Sequence, residues 1–148
     1  MPESQQVFES LQMKPIKTLT VLGEQVDVLT NGEMTNGASS FIIQTVPPGG
    51  GPPPHLHTRE DETFLALEGN FEILVNGEWC PLPCGEALFS ARGSVHAFRN
   101  AGKDTGRIGV FITPAGFENF FEQIEGLTPS DMPKLTAIAE QFGLSFHL

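Results

Sequence analysis

The chain has 148 residues and contains no Tyr, one Trp and two Cys, and its eight Lys and Arg are outnumbered by eighteen Asp and Glu. Each shortage excludes something. Without Tyr, no phenol is available for acid–base chemistry. The formal net charge of −10 argues against nucleic acid and against an anionic membrane surface as partners. No window approaches the roughly 18 consecutive apolar residues of a membrane span. The first residues, MPESQQVFESLQMKPIK, begin acidic and have no apolar stretch of the secretory type, so a cytoplasmic location is expected. The two cysteines, Cys80 and Cys84, stand in CPLPC with no matching second pair. That is a weak zinc signal, and free thiols are the expectation.

What is abundant is turn-forming and oily. The chain has sixteen Gly, twelve Pro and twelve Phe. Its length fits one domain that buries a core without staples. Residues 1–13 read as an N-terminal extension, with Met13 as a second plausible start. Residues 14–148 read as a single domain.

Short β-type runs fill residues 16–113. They are Thr18–Leu22, Val26–Thr30, Ser40–Val46, Thr63–Leu67, Phe71–Val75, Ala87–Phe89, Val95–Arg99 and Arg107–Thr113. Turn clusters separate them, and Asn76-Gly77 between FEILV and EW is the strongest hairpin signal. Many short strands with no helix between them predict an all-β sandwich or barrel of antiparallel strands. Two short helices follow, over a segment of about 116–143. In the first, Phe117, Phe120, Phe121 and Ile124 form one stripe at i, i+3, i+4 and i+7, stopped by Gly126 and Pro129. The second starts at Ser130 or Asp131, carries Leu135, Ile138, Ala139 and Phe142 on its apolar face, and ends at Gly143. Both stripes read as packing surface over the barrel or a dimer contact.

The chemistry concentrates in GGGPPPHLHTREDE, Gly49–Glu62. Pro52, Pro53 and Pro54 forbid a helix and favour extended backbone. In an extended strand, residues two apart face the same way, so His55 and His57 project together, a half-site for a transition metal. Glu60, Asp61 and Glu62 follow, and any of them can complete the shell. Glu62 falls at the mouth of the next strand, sharing a face with Phe64 if it points inward. Glu60 and Asp61 fall in the connecting loop, where solvated charge is the natural role. A further histidine, His96, sits in GEALFSARGSVHAFRN with Phe98 on its face. His147, second from the C-terminus, reads as a solvated tail residue.

These spacings resemble the cupins. Gly49-x5-His55-x-His57-x4-Glu62-x6-Gly69 matches the first cupin motif at every defining position, and Gly85-x5-Ala91-x-Gly93-x2-His96-x3-Asn100 matches the second, with Ala91 where the family usually has Pro. The resemblance covers residues 49–100. It implies a double-stranded β-helix, or jelly-roll, barrel, and one divalent transition metal held by His55, His57, Glu62 and His96. Fe, Mn, Ni, Cu and Zn are all chemically admissible ions. The ending TPAGFENFF is similar to the segment after the barrel in small single-domain cupins related to quercetin dioxygenase.

The expected pocket lining is apolar: Phe41, Ile43, Phe64, Phe89, Phe98 and Phe111. An oily cavity beside a metal suits an apolar or aromatic enolic substrate that chelates the ion through oxygen. The first expectation is therefore a dioxygenase-like enzyme acting on a flavonol-like small molecule, with Glu62 both as ligand and as proton acceptor. The alternatives are a non-catalytic small-molecule-binding cupin and a metal-dependent isomerase. The isomerase ranks last, because Gly49–Gly102 has no Lys and only Arg59, Arg92 and Arg99 as cations. Sheet edges and the oily helices predict a homodimer.

Overall fold

The computed structural model describes residues 14–148; the expected extension at residues 1–13 lies outside the described residues. Eleven strands alternate with turns: β1 Lys17–Val21, β2 Glu24–Thr30, β3 Ser40–Val46, β4 His55–His57, β5 Asp61–Glu68, β6 Phe71–Val75, β7 Glu78–Leu82, β8 Ala87–Ser90, β9 Val95–Asn100, β10 Gly106–Thr113 and β11 Leu144–Phe146. A four-residue helix, α1 (Gly32–Thr35), interrupts the early strands. Helices α2 (Glu118–Ile124) and α3 (Met132–Gln141) follow β10, with a 3-10 turn at Pro129–Asp131 before α3.

The strands form two antiparallel sheets, ordered β1-β2-β3-β10-β5-β8 and β11-β4-β9-β6-β7. This is the layered arrangement of a jelly roll. Among the described residues no strand ladder joins the two sheets, so the roll is a two-layer sandwich with α2 and α3 laid across one opening. Alternation along the strands fills the interior: Ile42, Val46, Phe64, Ala66, Phe71, Ile73, Ile108 and Ile112 are all essentially without exposure. The Asn76-Gly77 hairpin forms as expected, joining β6 to β7 with both residues at positive φ, 51° and 81°.

Phe117, the N-cap of α2, and Phe120, Phe121 and Ile124 within it are all buried. In α3, Leu135 and Ala139 are buried. Thr128 and Asp131 cap the turn that leads into it reciprocally. Gly143 then takes φ 71°, and a side chain there would collide with Thr58 Oγ1. That turn sends the chain into β11, a strand the periodicity did not reveal because it is only three residues long. β11 pairs with β4 and ties the C-terminus to the two histidines: Leu144 opposes His57 and Phe146 opposes His55.

The candidate metal centre

The glycine and proline run places β4. Gly49 N–H donates to Asn100 O, and Asn100 N–H donates to Gly50 O. The Asn100 side chain, 2% exposed, donates to the Val46 and Asp104 carbonyls and accepts from Gly102 N–H. Gly51 adopts φ 134°, and a Cβ there would run into the Phe98 carbonyl oxygen, so only glycine fits. The three prolines then carry the backbone into β4.

His55 and His57 point to one face of β4, and His55 pairs directly with His96 on β9. Glu62 comes from β5 in the opposite sheet. The four side chains are buried, and each offers a ligand atom within 4.8 Å of the others. Glu62 bridges them: Oε2 lies 2.9 Å from His96 Nε2 and Oε1 lies 3.3 Å from His57 Nε2. His55 Nδ1 donates to the Pro53 carbonyl at 2.8 Å, which leaves its Nε2 as a lone-pair donor. His96 Nδ1 sits 3.1 Å from Ser90 Oγ and 3.2 Å from the Ser94 carbonyl oxygen; donation to Ser94 turns Nε2 toward the cluster. Phe117 of the α2 cap stacks edge-on against His57, ring centroids 4.4 Å apart, and Phe64 lies 5.5 Å from His96.

The electrostatics follow from burial and crowding. Burial, with His96 and His57 alongside, pushes His55 down to about 4. Burial also acts to lower His57, but the Glu62 and Glu60 carboxylates outweigh it and hold His57 above the usual imidazole range. Burial acts to raise Glu62, yet His57, His96 and His55 together hold it below the usual carboxylate range. The set is thus one carboxylate among imidazoles. Both ring nitrogens of His57 are buried without a hydrogen-bond partner. A buried polar atom left without a partner is costly, and a divalent ion among these four donors would satisfy it. The donors fit the group: three imidazoles and one carboxylate suit a borderline transition ion.

Two expectations need correction. Glu60 is not a solvated bystander: it is 5% exposed, with Oε1 3.8 Å from His57 Nδ1. The buried carboxylate stands behind the imidazole of His57, close enough for charge to act on it but beyond hydrogen-bond distance. No periodic signal marked it, because it lies between β4 and β5. Asp61 does stay at the surface, paired with Arg92 at 3.2 Å.

The pocket lining is the second correction. A cavity of about 210 Å³ adjoins the cluster, and Phe64 and Phe98 line it as expected. Phe41, Ile43, Phe89 and Phe111 do not. On β3, Ile42 and Gln44 face in; on β10, Val110 does; on β8, Leu88 opposes the inward Phe64. The other four therefore lie on the outer face, where Phe89 is 63% and Phe111 43% exposed. Phe41 rests over Gly109, whose missing side chain makes room for its ring. The stretches FII and GVFI are apolar on both faces, so alternation alone does not say which residue faces in. The helical stripe supplies the wall instead: Phe117, Phe120, Phe121, Ile124 and Leu135 all line the cavity. Arg99 turns outward as expected, against Glu72 and over the Trp79 ring at 4.0 Å.

A two-layer jelly roll carrying three histidines from one sheet and a glutamate from the other defines a β-sandwich with a candidate metal site. Residues 42–113 match the cupin domain family (Cupin_2), so this stretch, just under half of the chain, is a cupin domain. The chain is 36% identical over 80 residues to the tetracenomycin polyketide synthase protein TcmJ of Streptomyces glaucescens, covering 53% of this chain and 54% of that one. It is 30% identical over 90 residues to the quercetin 2,3-dioxygenase of Bacillus subtilis, covering 61% of this chain and 26% of that one. The chain thus spans about half or less of the length of these relatives. Among solved structures, that of a predicted oxalate decarboxylase from Thermotoga maritima superposes with a TM-score of 0.57 at 26% identity, covering 70% of this chain and 94% of that one. Among the described residues no helix is long and apolar enough to cross a membrane.

Proposed function

We propose that this cupin is a metal-dependent dioxygenase that acts on an apolar, aromatic enolic compound of the flavonol type. The observation that carries the reading is that His55, His57 and Glu62 of the cluster line a cavity whose lining has no Lys or Arg. A small dianion such as oxalate is held more strongly where an Arg or Lys adds charge-assisted hydrogen bonds, and that lining supplies none. The names of two relatives, one for a polyketide synthase and one for quercetin oxidation, point toward the same substrate chemistry.

His55, His57, Glu62 and His96 would hold one divalent transition ion. When bound, it supplies a Lewis-acidic centre for enolate oxygens and, if redox-active, electron exchange with O2. The chain supplies the rest. Glu62, kept ionised by the imidazoles around it, accepts the proton of the enolic hydroxyl. Phe64, Phe98 and Phe117 sandwich the substrate ring and exclude water. Glu60 orients His57.

The protein works as a homodimer in the cytoplasm. Its two cysteines are free thiols, which suits a reducing compartment. Its outer six-stranded face carries Phe41, Phe111 and Phe89 in one row that runs out to the edge strand β8. At its two ends lie the mixed-charge pairs Asp61–Arg92 and Glu68–Arg107. Two-fold pairing of two copies through this face buries the rings and sets opposite charges against each other.

The test is oxygen uptake by protein loaded in turn with Fe, Mn, Ni, Cu and Zn, across a panel of flavonols, catechols and diketones. Metal-dependent uptake is expected. Ligand-induced thermal stabilisation with no uptake anywhere on the panel would replace this reading with that of a binding protein.

A further inference from the structure

Two polar side chains in the cavity have no part in the metal cluster. Its lining is apolar apart from His55, His57 and Glu62 at one end, and Glu24 and Gln44 away from them. Glu24 follows the β1–β2 turn and faces in with Val26 and Val28. Gln44 pairs with Val26 across the β2–β3 ladder, so the two polar groups are diagonal neighbours on one inner face. Among the described residues, no other side chain hydrogen-bonds the Glu24 carboxylate or the Gln44 amide; the Gly51 backbone N–H lies against the carboxylate. Gly50 carries no side chain where one would meet Glu24 Oε1 at 3.1 Å, which leaves the carboxylate room. Exposed Leu22 and Pro53 beside Glu24 mark the cavity mouth.

The strand register gives the spacing. Glu62 opposes Ile112, which opposes Ser40; Ala66 opposes Ile108, which opposes Gln44. Gln44 is therefore four residues along β3 from the row of Glu62, on the order of 13 Å in the strand direction. Ile42, Val110 and Phe64, one row of the ladder, fill the interval.

We infer that Glu24 and Gln44 form a distal hydrogen-bonding subsite that selects elongated aromatic ligands with a hydroxyl at the end remote from the metal-chelating oxygens. This rests on the reading of the cavity as the substrate site and names the substrate class within it. The ligand is a polyphenol of two or three rings: a chelating enol at the metal end, an apolar body, and a phenolic hydroxyl at the mouth. That hydroxyl donates to the Glu24 carboxylate and accepts from the Gln44 amide. Burial lifts Glu24 from its ordinary range, with the Gly51 amide pulling it back, as befits a carboxyl that gains from a neutral hydroxyl partner. Ligands lacking the hydroxyl leave the Gln44 amide unpaired, and the Glu24 carboxylate with the Gly51 amide alone, at the moment the mouth is filled, which is how buried polar groups discriminate.

The experiment is anaerobic fluorescence titration of the zinc-loaded full chain with 3-hydroxyflavone and with 3,4′-dihydroxyflavone, which differ only in the distal hydroxyl. The wild-type protein should bind the dihydroxy compound about 10-fold more tightly. Glu24→Leu with Gln44→Leu should bring the two compounds within about twofold while keeping the affinity for 3-hydroxyflavone, which also reports that the cavity is folded. Glu24→Gln, nearly isosteric, should give an intermediate ratio. A wild-type ratio below twofold, a ratio unchanged in the variants, or failure of both compounds to bind would each overturn the subsite. Discrimination without oxygen uptake would sink the dioxygenase reading alone; uptake without discrimination would sink the subsite alone.

Discussion

His96 Nε2 lies 2.9 Å from Glu62 Oε2, although the two residues belong to opposite sheets. That contact closes the cluster across the interior of the roll. β4 brings two imidazoles, its neighbour β9 brings a third, and only the facing sheet brings a carboxylate. The consequences of this arrangement are individually measurable.

Glu60 backs His57 from outside the donor set. Its replacement by Gln removes the charge at nearly constant shape. Metal affinity, read by competition with a chromophoric chelator, should fall about 10- to 100-fold, with the far-ultraviolet circular dichroism unchanged. An affinity within twofold of wild type would show that Glu60 does not orient His57.

Gly51 stands where a side chain would strike the Phe98 carbonyl, at φ 134°. Gly51→Ala should lower unfolding stability by roughly 2 kcal/mol or more and weaken metal binding along with it, since β4 begins four residues later. Gly77→Ala is the comparison. Its Cβ meets open space, so its loss should be limited to the strain of its positive φ, about 1 kcal/mol. Equal losses at the two sites would contradict the close approach.

Glu24 carries a pH signature. Burial raises its carboxyl above the ordinary 4.5 of a glutamate, so the folded chain binds this proton more tightly than the unfolded chain. In the window just above 4.5, the folded state then holds more protons than the unfolded one, and stability falls as pH rises. No other charged group lines that end of the cavity. Urea midpoints of wild type and Glu24→Gln should therefore diverge with rising pH, with Gln the more stable at neutrality. Parallel profiles would show that Glu24 does not titrate with folding.

The outer sheet face should hold the dimer. Light scattering should give twice the chain mass of 16.0 kDa for the wild type and a monomer for Phe111→Asp with Phe89→Asp, both changes lying outside the cavity. A monomeric wild type, or a double variant that still dimerises, would rule out this face.

Much of this was legible in the chain. The His55–His57 pair was legible from spacing, because the proline run fixes an extended backbone and an extended backbone fixes which residues share a face; Glu62 and His96 joined it only through the resemblance to the cupin motifs. The α2 stripe was legible for the same reason, at the helical period. What stayed hidden depended on contacts between distant segments. Phe41, Ile43, Phe89 and Phe111 are as apolar as Phe64 and Phe98, and only the pairing of β3, β10 and β8 decides their face. Glu60 reads as a loop carboxylate until β4 and β5 fold it beneath His57. β11 has too few residues to show a period, and Gln44 reads as an ordinary polar position until Val26 is set opposite it.

The central claim is that His55, His57, Glu62 and His96 hold one metal ion. Elemental analysis of protein purified without chelating resin tests it directly, with His96→Ala and Glu62→Ala as controls. About one transition ion per chain in the wild type, falling below about a tenth in both variants, is the predicted result. A metal-free wild type that takes up no added ion, or variants that retain a full ion, would contradict it.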